Sequence, residues 1–421
     1  MDRARALACW TLLVFCSAAC GRGGPAVLTF SGSALGAEAD IVRTQLDRFA
    51  ARHPGVRTEL QITPDAAGER HQLYVQWLNG RASEPDVLQL DIVWTAEFAA
   101  AGWILPLDRF EPDVDDFFPA AIAADRWRGS LYALPWFVDV GLLYWRTDLV
   151  DARPRSLPEL RRAARRAIDS GAVPFGLATQ AARYEGLVAA FVEVLSAFGG
   201  RILDDRGRVT VDDAEAVNAL TFMRDSIDEG IVPASALTWQ EEQARLAFQN
   251  GQSAFMRNWP YAWSRLQDRE RSRIAGRFQA GALPGPTPDS AAAALGGAQL
   301  AVNAHTADPA LAWALVEFLT APEQMLERAR VAAQFPARRS LYETKALADA
   351  LPISIDVLRD ALAAATSRPV TPVYSELSEI LQVRLHRALT GQQTPGDALR
   401  DAAREIRTLL TRTGLAAESG A

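Results

Sequence analysis

Hydrophobic positions along the chain change period several times, and those changes set out an order of elements. Ala26–Phe30 is a short apolar run that ends in Ser31-Gly32-Ser33, which predicts a strand and then a loop. From Asp40 to Arg52, residues Ile41, Val42, Leu46, Phe49 and Ala50 recur at helical spacing, and His53-Pro54-Gly55 stops the helix. Val56–Ile62 alternates as a half-buried strand does, and Asp86–Trp94 predicts another strand with its carboxylate at the end of the apolar run. This strand–helix–strand order points to a largely parallel sheet covered by helices, in which ligands gather at the carboxyl ends of strands.

Leu131–Pro135 and Val140–Trp145 predict two strands joined through Trp136-Phe137-Val138-Asp139. Ser156-Leu-Pro-Glu159 has the spacing of a capping box and opens a helix to about Ile168. Phe175–Thr179 predicts a strand, and Tyr184–Phe198 a helix closed by Gly199-Gly200. A further helix runs from Asp212 to Glu229, a short one spans Ala244–Gln249, and Ser253–Met256 is a strand. Gly281–Ala294 is rich in Pro, Gly and Ala and predicts a loop or linker before a short strand at Gln299–Asn303. Asp308-Pro309 and Thr320-Ala-Pro-Glu323 each predict a capped helix start. After the extended segment Arg368–Tyr374, two helices are expected near Glu376–Leu389 and Thr394–Thr411.

Composition narrows the class. The 421 residues are 49% hydrophobic and 23% charged, which excludes a disordered or fibrous chain and leaves room for two domains. The net charge of −7 argues against nucleic acid as a partner. The three cysteines, Cys9, Cys16 and Cys20, all lie at the N-terminus, so the remainder can form no disulfide and offer no thiolate nucleophile. Arg3 and Arg5, the apolar run Ala6–Phe15 and the small residues Ser17-Ala18-Ala19 follow the order of a secretory signal peptide. That run is too short to stay in a membrane as a span. Small residues directly before Cys20 fit cleavage and lipidation at that cysteine, with Gly21–Pro25 as a tether; the alternative is plain secretion with cleavage near Ala19.

Standard catalytic signatures are missing: no P-loop, no G-x-S-x-G and no H-E-x-x-H, and the four histidines are scattered. No cofactor and no metal site is expected. Aromatics beside acids in loop contexts stand out instead: Trp94 after Asp91, Trp136 near Asp139, Trp259 beside Tyr261. A sugar presents C–H bonds that pack on an aromatic ring and hydroxyls that suit carboxylates, amides and arginine. Core aromatics with buried polar partners would give the same pairs. Paired carboxylates also leave a glycoside hydrolase open, and a non-sugar ligand is the other alternative.

These residues carry a family likeness. The segments Pro85–Trp94, Gly102–Asp108, Leu131–Leu149, Tyr184–Leu187, Ala254–Trp263, Leu295–Gly297 and Arg368–Ile380, in this order and spacing, resemble the bacterial extracellular solute-binding proteins of sugar ABC transporters, in particular the trehalose/maltose-binding branch. The resemblance implies an α/β fold of two lobes, each a largely parallel sheet flanked by helices, with a hinge of crossing segments. One lobe would comprise residues 26–140 and 298–348 and the other 141–297 and 349–421, after a signal peptide (1–19) and a lipid-anchored tether (20–25). It implies that Glu38, Asp91 and Asp139 accept hydrogen bonds from sugar hydroxyls, that Trp259 stacks on a ring beside Tyr261, that Gly297 lets the chain pass close, and that Arg368 reaches a hydroxyl. Glu185 is a further candidate, although Tyr184-Glu-Gly186 also suits a plain helix start. Relatives have tyrosine where this chain has Phe137 and tryptophan where it has Ala298, so the identity of the sugar stays open. The implied protein is a lipid-anchored, extracytoplasmic, non-enzymatic monomer that hands a disaccharide to membrane permease subunits.

Overall fold

Residues 26–416, apart from Asp289 and Pro352, are described in a computed structural model. The segments expected as a signal peptide and a tether, with Cys20, lie outside the described residues. Among the described residues, nine strands longer than two residues form two sheets: β1 (Ala26–Gly32), β2 (Val56–Ile62), β3 (Val87–Asp91), β4 (Ala133–Val140), β5 (Leu142–Arg146), β6 (Phe175–Ala178), β7 (Ser253–Asn258), β8 (Phe278–Gly281) and β9 (Ala291–Val302). The first sheet has the order β4-β9-β3-β1-β2, with the two-residue strand Phe335–Pro336 beyond β4; the second has the order β8-β5-β7-β6.

The expected parallel core is present as β2-β1-β3 and, in the second sheet, as β6-β7. The other neighbours run antiparallel, β9 against both β3 and β4, and β5 against both β7 and β8, so each sheet is mixed. Two connections between the sheets explain this. Strands β4 and β5 are separated by Gly141 alone, so the chain leaves the first sheet and enters the second almost without turning. Strand β9 pairs with β4 and β3 from Leu295 onward, while its first residues pair with Leu283–Pro284 and Ala365–Thr366.

Both sheets are covered by helices. Helices Glu38–Arg52, Pro309–Leu319 and Pro322–Ala332 bury Phe49, Leu315 and Val316 against the first sheet, each side chain contributing about 2 kcal/mol of apolar burial. Helices Leu157–Asp169, Glu185–Ala197, Ala214–Asp228, Tyr374–Leu389 and Pro395–Arg412 share the second apolar cluster. This is the two-lobed α/β architecture that the resemblance implies.

Four local expectations change. The segment Trp136–Asp139 is not a connection but part of β4: Phe137, Val138 and Asp139 pair with β9, and Trp136 is the bulged residue without a partner. The register slips where Phe137 and Pro135 face consecutive residues Ala298 and Gln299, a bulge that accommodates a proline inside the sheet. The stretch expected as a linker, Gly281–Ala294, takes in the last residue of β8, the two-residue strand Leu283–Pro284 and the start of β9: Ala292, Ala293 and Ala294 are all buried, which hides the alternation by which a strand is recognised. The strand expected over Asp86–Trp94 stops at Asp91, where the chain turns into helix Thr95–Ala100. At the capped starts, Asp308 and Thr394 accept from the backbone as their positions predict, whereas Thr320 bonds back to the Val316 carbonyl and Ala321 takes the cap position.

Candidate functional site

One cleft is lined by all nine residues singled out from the sequence: Glu38, Asp91, Phe137, Asp139, Glu185, Trp259, Tyr261, Gly297 and Arg368. The elements explain the convergence. Asp91 ends parallel strand β3, and Ser33 follows β1, so both stand at carboxyl ends of strands. Glu38 and Glu185 each open a helix, where a carboxylate complements the helix dipole. Trp259 follows the last residue of β7, and Phe137 and Asp139 on β4 flank Val138, the partner of Gly297 on β9.

Gly297 has a φ of 129°, a backbone state that L side chains rarely adopt, and a Cβ there would overlap the Phe137 carbonyl oxygen. Ala298 pairs with both Asp91 and Phe137 and also faces the cleft.

Several polar atoms of the cleft have no partner within the protein: Glu38 Oε1, Asp139 Oδ1, the Tyr184 hydroxyl and Arg368 Nε. Buried polar atoms are ordinarily paired, so a cluster of unpaired ones marks places where a ligand completes the network. Burial pushes the Asp139 carboxyl well above its ordinary range; the Glu38 and Asp91 carboxylates reinforce the shift, and Arg328 and Arg257 oppose it. Burial also raises Glu38, against the pull of Arg328 and Arg70.

Arg368, 4% exposed, bridges two acids: it donates to Asp91 Oδ1 at 3.0 Å and to Glu185 Oε1 at 2.6 Å. Glu185 also accepts from the Tyr374 hydroxyl at 2.6 Å and from Ser378. The Glu185 carboxylate is thus occupied by protein donors, and its effect on a ligand runs through the placement of Arg368. Trp259 donates its Nε1 to Glu241 at 3.4 Å, and Tyr261 donates to Glu242 at 2.8 Å while its ring packs on Gly36.

Tyr184, Glu241, Gln334, Gln89 and Arg70 also line the cleft and were not picked out in the sequence. Glu241 and Glu242 read as ordinary first-turn acids of helix Glu241–Gln249. Tyr184 takes the cap position of helix Glu185–Ala197 without making any side-chain cap bond, and its hydroxyl lines the cleft instead. Behind the cleft, Arg328 is 1% exposed, with its guanidinium carbon 3.4 Å from the Trp136 ring centroid, and burial lowers it to about 9 against the pull of Glu38 and Asp139. It also donates to Gln334, which in turn donates to Glu38 at 3.1 Å. Among the described residues, no group of three His, Cys, Asp or Glu side chains is arranged to hold a metal ion, and no helix is long and apolar enough to cross a membrane.

Such a cleft, lined with carboxylates, arginine and aromatics and set between two sheets, suits reversible capture of a polar small molecule. Comparison with known proteins agrees. The sequence pattern of the bacterial extracellular solute-binding proteins matches residues 35–326. A probable ABC transporter-binding protein of Deinococcus radiodurans is 35% identical over 399 residues, covering 91% of this chain and 93% of its own length. Among solved structures, maltose-bound MalE3 of T. maritima is 37% identical with a TM-score of 0.86, over 91% of this chain and all of that one. The GacH receptor of Streptomyces glaucescens, solved unliganded and with acarbose, is 25% identical with a TM-score of 0.82, over 92% of this chain and 98% of that one.

Proposed function

The chain belongs to the bacterial extracellular solute-binding proteins, and on that premise we propose that it captures a disaccharide, a glucoside of the trehalose or maltose kind, for a sugar ABC transporter. Members of this family bind substrates rather than transform them, which sets the hydrolase alternative aside. The observation that carries the ligand class is the cleft itself: unpaired acceptors on Glu38 and Asp139 and unpaired donors on Tyr184 and Arg368 surround the half-buried Trp259 ring. Carboxylates and arginine suit a hydroxyl edge, and the indole suits a pyranose face. The 37% identical relative was solved with maltose bound, which supports a glucoside.

In this reading Glu38, Asp91 and Asp139 accept from hydroxyls, Arg368 Nε donates, and Trp259 stacks with Tyr261 at its side. Gly297 lets β9 run close enough for its backbone to reach the ligand, and Phe137 supplies an apolar wall. Capture proceeds by closure of the two lobes, which buries the ligand and presents one shape to the permease subunits. Contacts across the cleft support this: Arg368 meets Asp91, and Ser375 at the start of helix Tyr374–Leu389 donates to Glu97 at 2.6 Å beside His71. The protein works as a monomer outside the cytoplasm, tethered through lipid on Cys20; a Cys20→Ala variant is then released from the membrane fraction, and retention there contradicts the anchor.

The test of the ligand class is a thermal-shift panel of maltose, trehalose, maltotriose, mannitol and ribitol. A ligand at 100 times its Kd stabilises the folded state by about 2.7 kcal/mol, a shift of a few degrees. A glucoside is expected to raise the Tm. Shifts with polyols alone would replace the disaccharide, and no shift with any member would overturn the sugar reading.

A further inference from the structure

One buried cation plays no part in the ligand contacts above. Arg257 lies on β7, two residues before Trp259 and 3% exposed. Its guanidinium carbon sits 4.1 Å from the Trp259 ring centroid. The guanidinium is held from behind: Nε and NH2 donate to the two oxygens of Glu193 at 2.8 and 2.5 Å, and NH1 donates to Gln180 Oε1 at 3.2 Å. Gln180 returns a bond from Nε2 to the Arg257 carbonyl at 3.1 Å.

The site of this pair matters. Glu193 Oε1 also accepts from the Ala294 backbone N–H at 3.2 Å, near the start of β9. A Cβ on Gly141 would overlap the same oxygen, so the glycine between β4 and β5 leaves the room that the ion pair fills. The pair therefore touches β9 and packs against Gly141, where the chain passes from one sheet to the other, and reaches the indole of the cleft. Stability alone does not account for it, because a buried ion pair replaced by well-packed apolar groups is often neutral or better. A planar, fully charged fork lying over an indole does something an apolar side chain cannot: it fixes where the ring sits.

We infer that Arg257 is a positioning residue for Trp259, locked by Glu193 and Gln180, so that ligand affinity depends on a side chain that does not touch the ligand. This rests on the stacking role proposed for Trp259, and the test has one arm that does not. In the first arm, protein labelled with 5-fluorotryptophan is studied by ¹⁹F NMR without ligand, the Trp259 resonance being assigned by its loss in Trp259→Phe. Arg257→Met is expected to shift or broaden that resonance and leave the majority of the others in place; an unmoved Trp259 resonance overturns the proposal. Should Arg257→Met not fold, Glu193→Gln, which loosens the lock while keeping the arginine, is read the same way.

The second arm is a double-mutant cycle with maltose as probe. Arg257→Met is expected to weaken binding about fivefold or more, the range of a desolvated cation–π contact, and Arg257→Lys to recover part of it. In the Trp259→Ala background the same change is expected to do less than about twofold, as for residues acting through one another. Equal losses in both backgrounds would show a general structural role and overturn the proposal. If the unaltered protein binds no maltose, the glucoside reading fails, and the resonance arm alone decides the role of Arg257.

Discussion

Asp139 combines two demands that pull apart. Its carboxyl stands in the cleft with Oδ1 unpaired and its affinity for a proton raised by burial and by Glu38. A carboxyl raised in the fold contributes stability that is fully present below its ordinary value of 3.8 and lost as pH rises through the folded value. Removing the charge should therefore stabilise the ligand-free protein at neutral pH while degrading the site. Asp139→Asn is expected to raise the ligand-free Tm at pH 7.5 and to weaken sugar binding by about 1–3 kcal/mol, the cost of a missing acceptor. A lowered Tm together with unchanged affinity would contradict both halves. Gly297→Ala should cost about 1–3 kcal/mol of stability, since the new methyl meets the Phe137 carbonyl in a strained backbone state; urea unfolding gives the value. At this scale the sequence revealed acids and aromatics where they flank strand ends and match a family pattern, as at Asp91 and Trp259. It did not reveal Tyr184, Glu241 or Gln334, because a first-turn glutamate or a glutamine between helices has the same composition whether it faces solvent or a cleft.

Strands and helices were legible in proportion to how one-sided their burial is. Helix Glu38–Arg52 and strand β2 each keep one face exposed, and the periodicity shows it. Strands β4 and β9 are buried on nearly all sides, so proline, glycine and alanine in them read as loop until pairing with neighbours is seen. The mixed sheet order was hidden for the same reason: it depends on β9 entering between β4 and β3 from far along the chain. The segment after Thr366 is extended, as the sequence predicts, but its energetic role emerges only from the structure. Arg368 there neutralises Asp91 and Glu185, whose side chains are 17% and 13% exposed. Arg368→Ala strands two partly buried carboxylates and is expected to cost about 3–5 kcal/mol, with Arg368→Lys intermediate because it lacks the fork that reaches both. Chemical denaturation checks this, and a loss under 1 kcal/mol would show that the bridge is dispensable.

On the scale of the whole molecule, the arrangement is a cleft whose floor and walls come from residues 33 to 368 of the chain, gathered by two sheets and the strands that pass between them. Such a site has little affinity until both sides meet the ligand at once, which is why acids on the first sheet and Trp259 beyond the second must act together. Closure around a ligand should also make the particle more compact, with a smaller radius of gyration in solution scattering when sugar is present; an unchanged radius at saturation would speak against closure. The central claim is that this cleft binds a glucoside through the Trp259 ring. Isothermal titration of maltose and trehalose into the intact protein and into Trp259→Ala tests it most directly. The account predicts one site per chain for at least one of the two sugars, weakened about tenfold or more in the variant, since stacking adds about 1 kcal/mol to the apolar area lost. Absence of binding to the intact protein, or equal affinity in the variant, would contradict it.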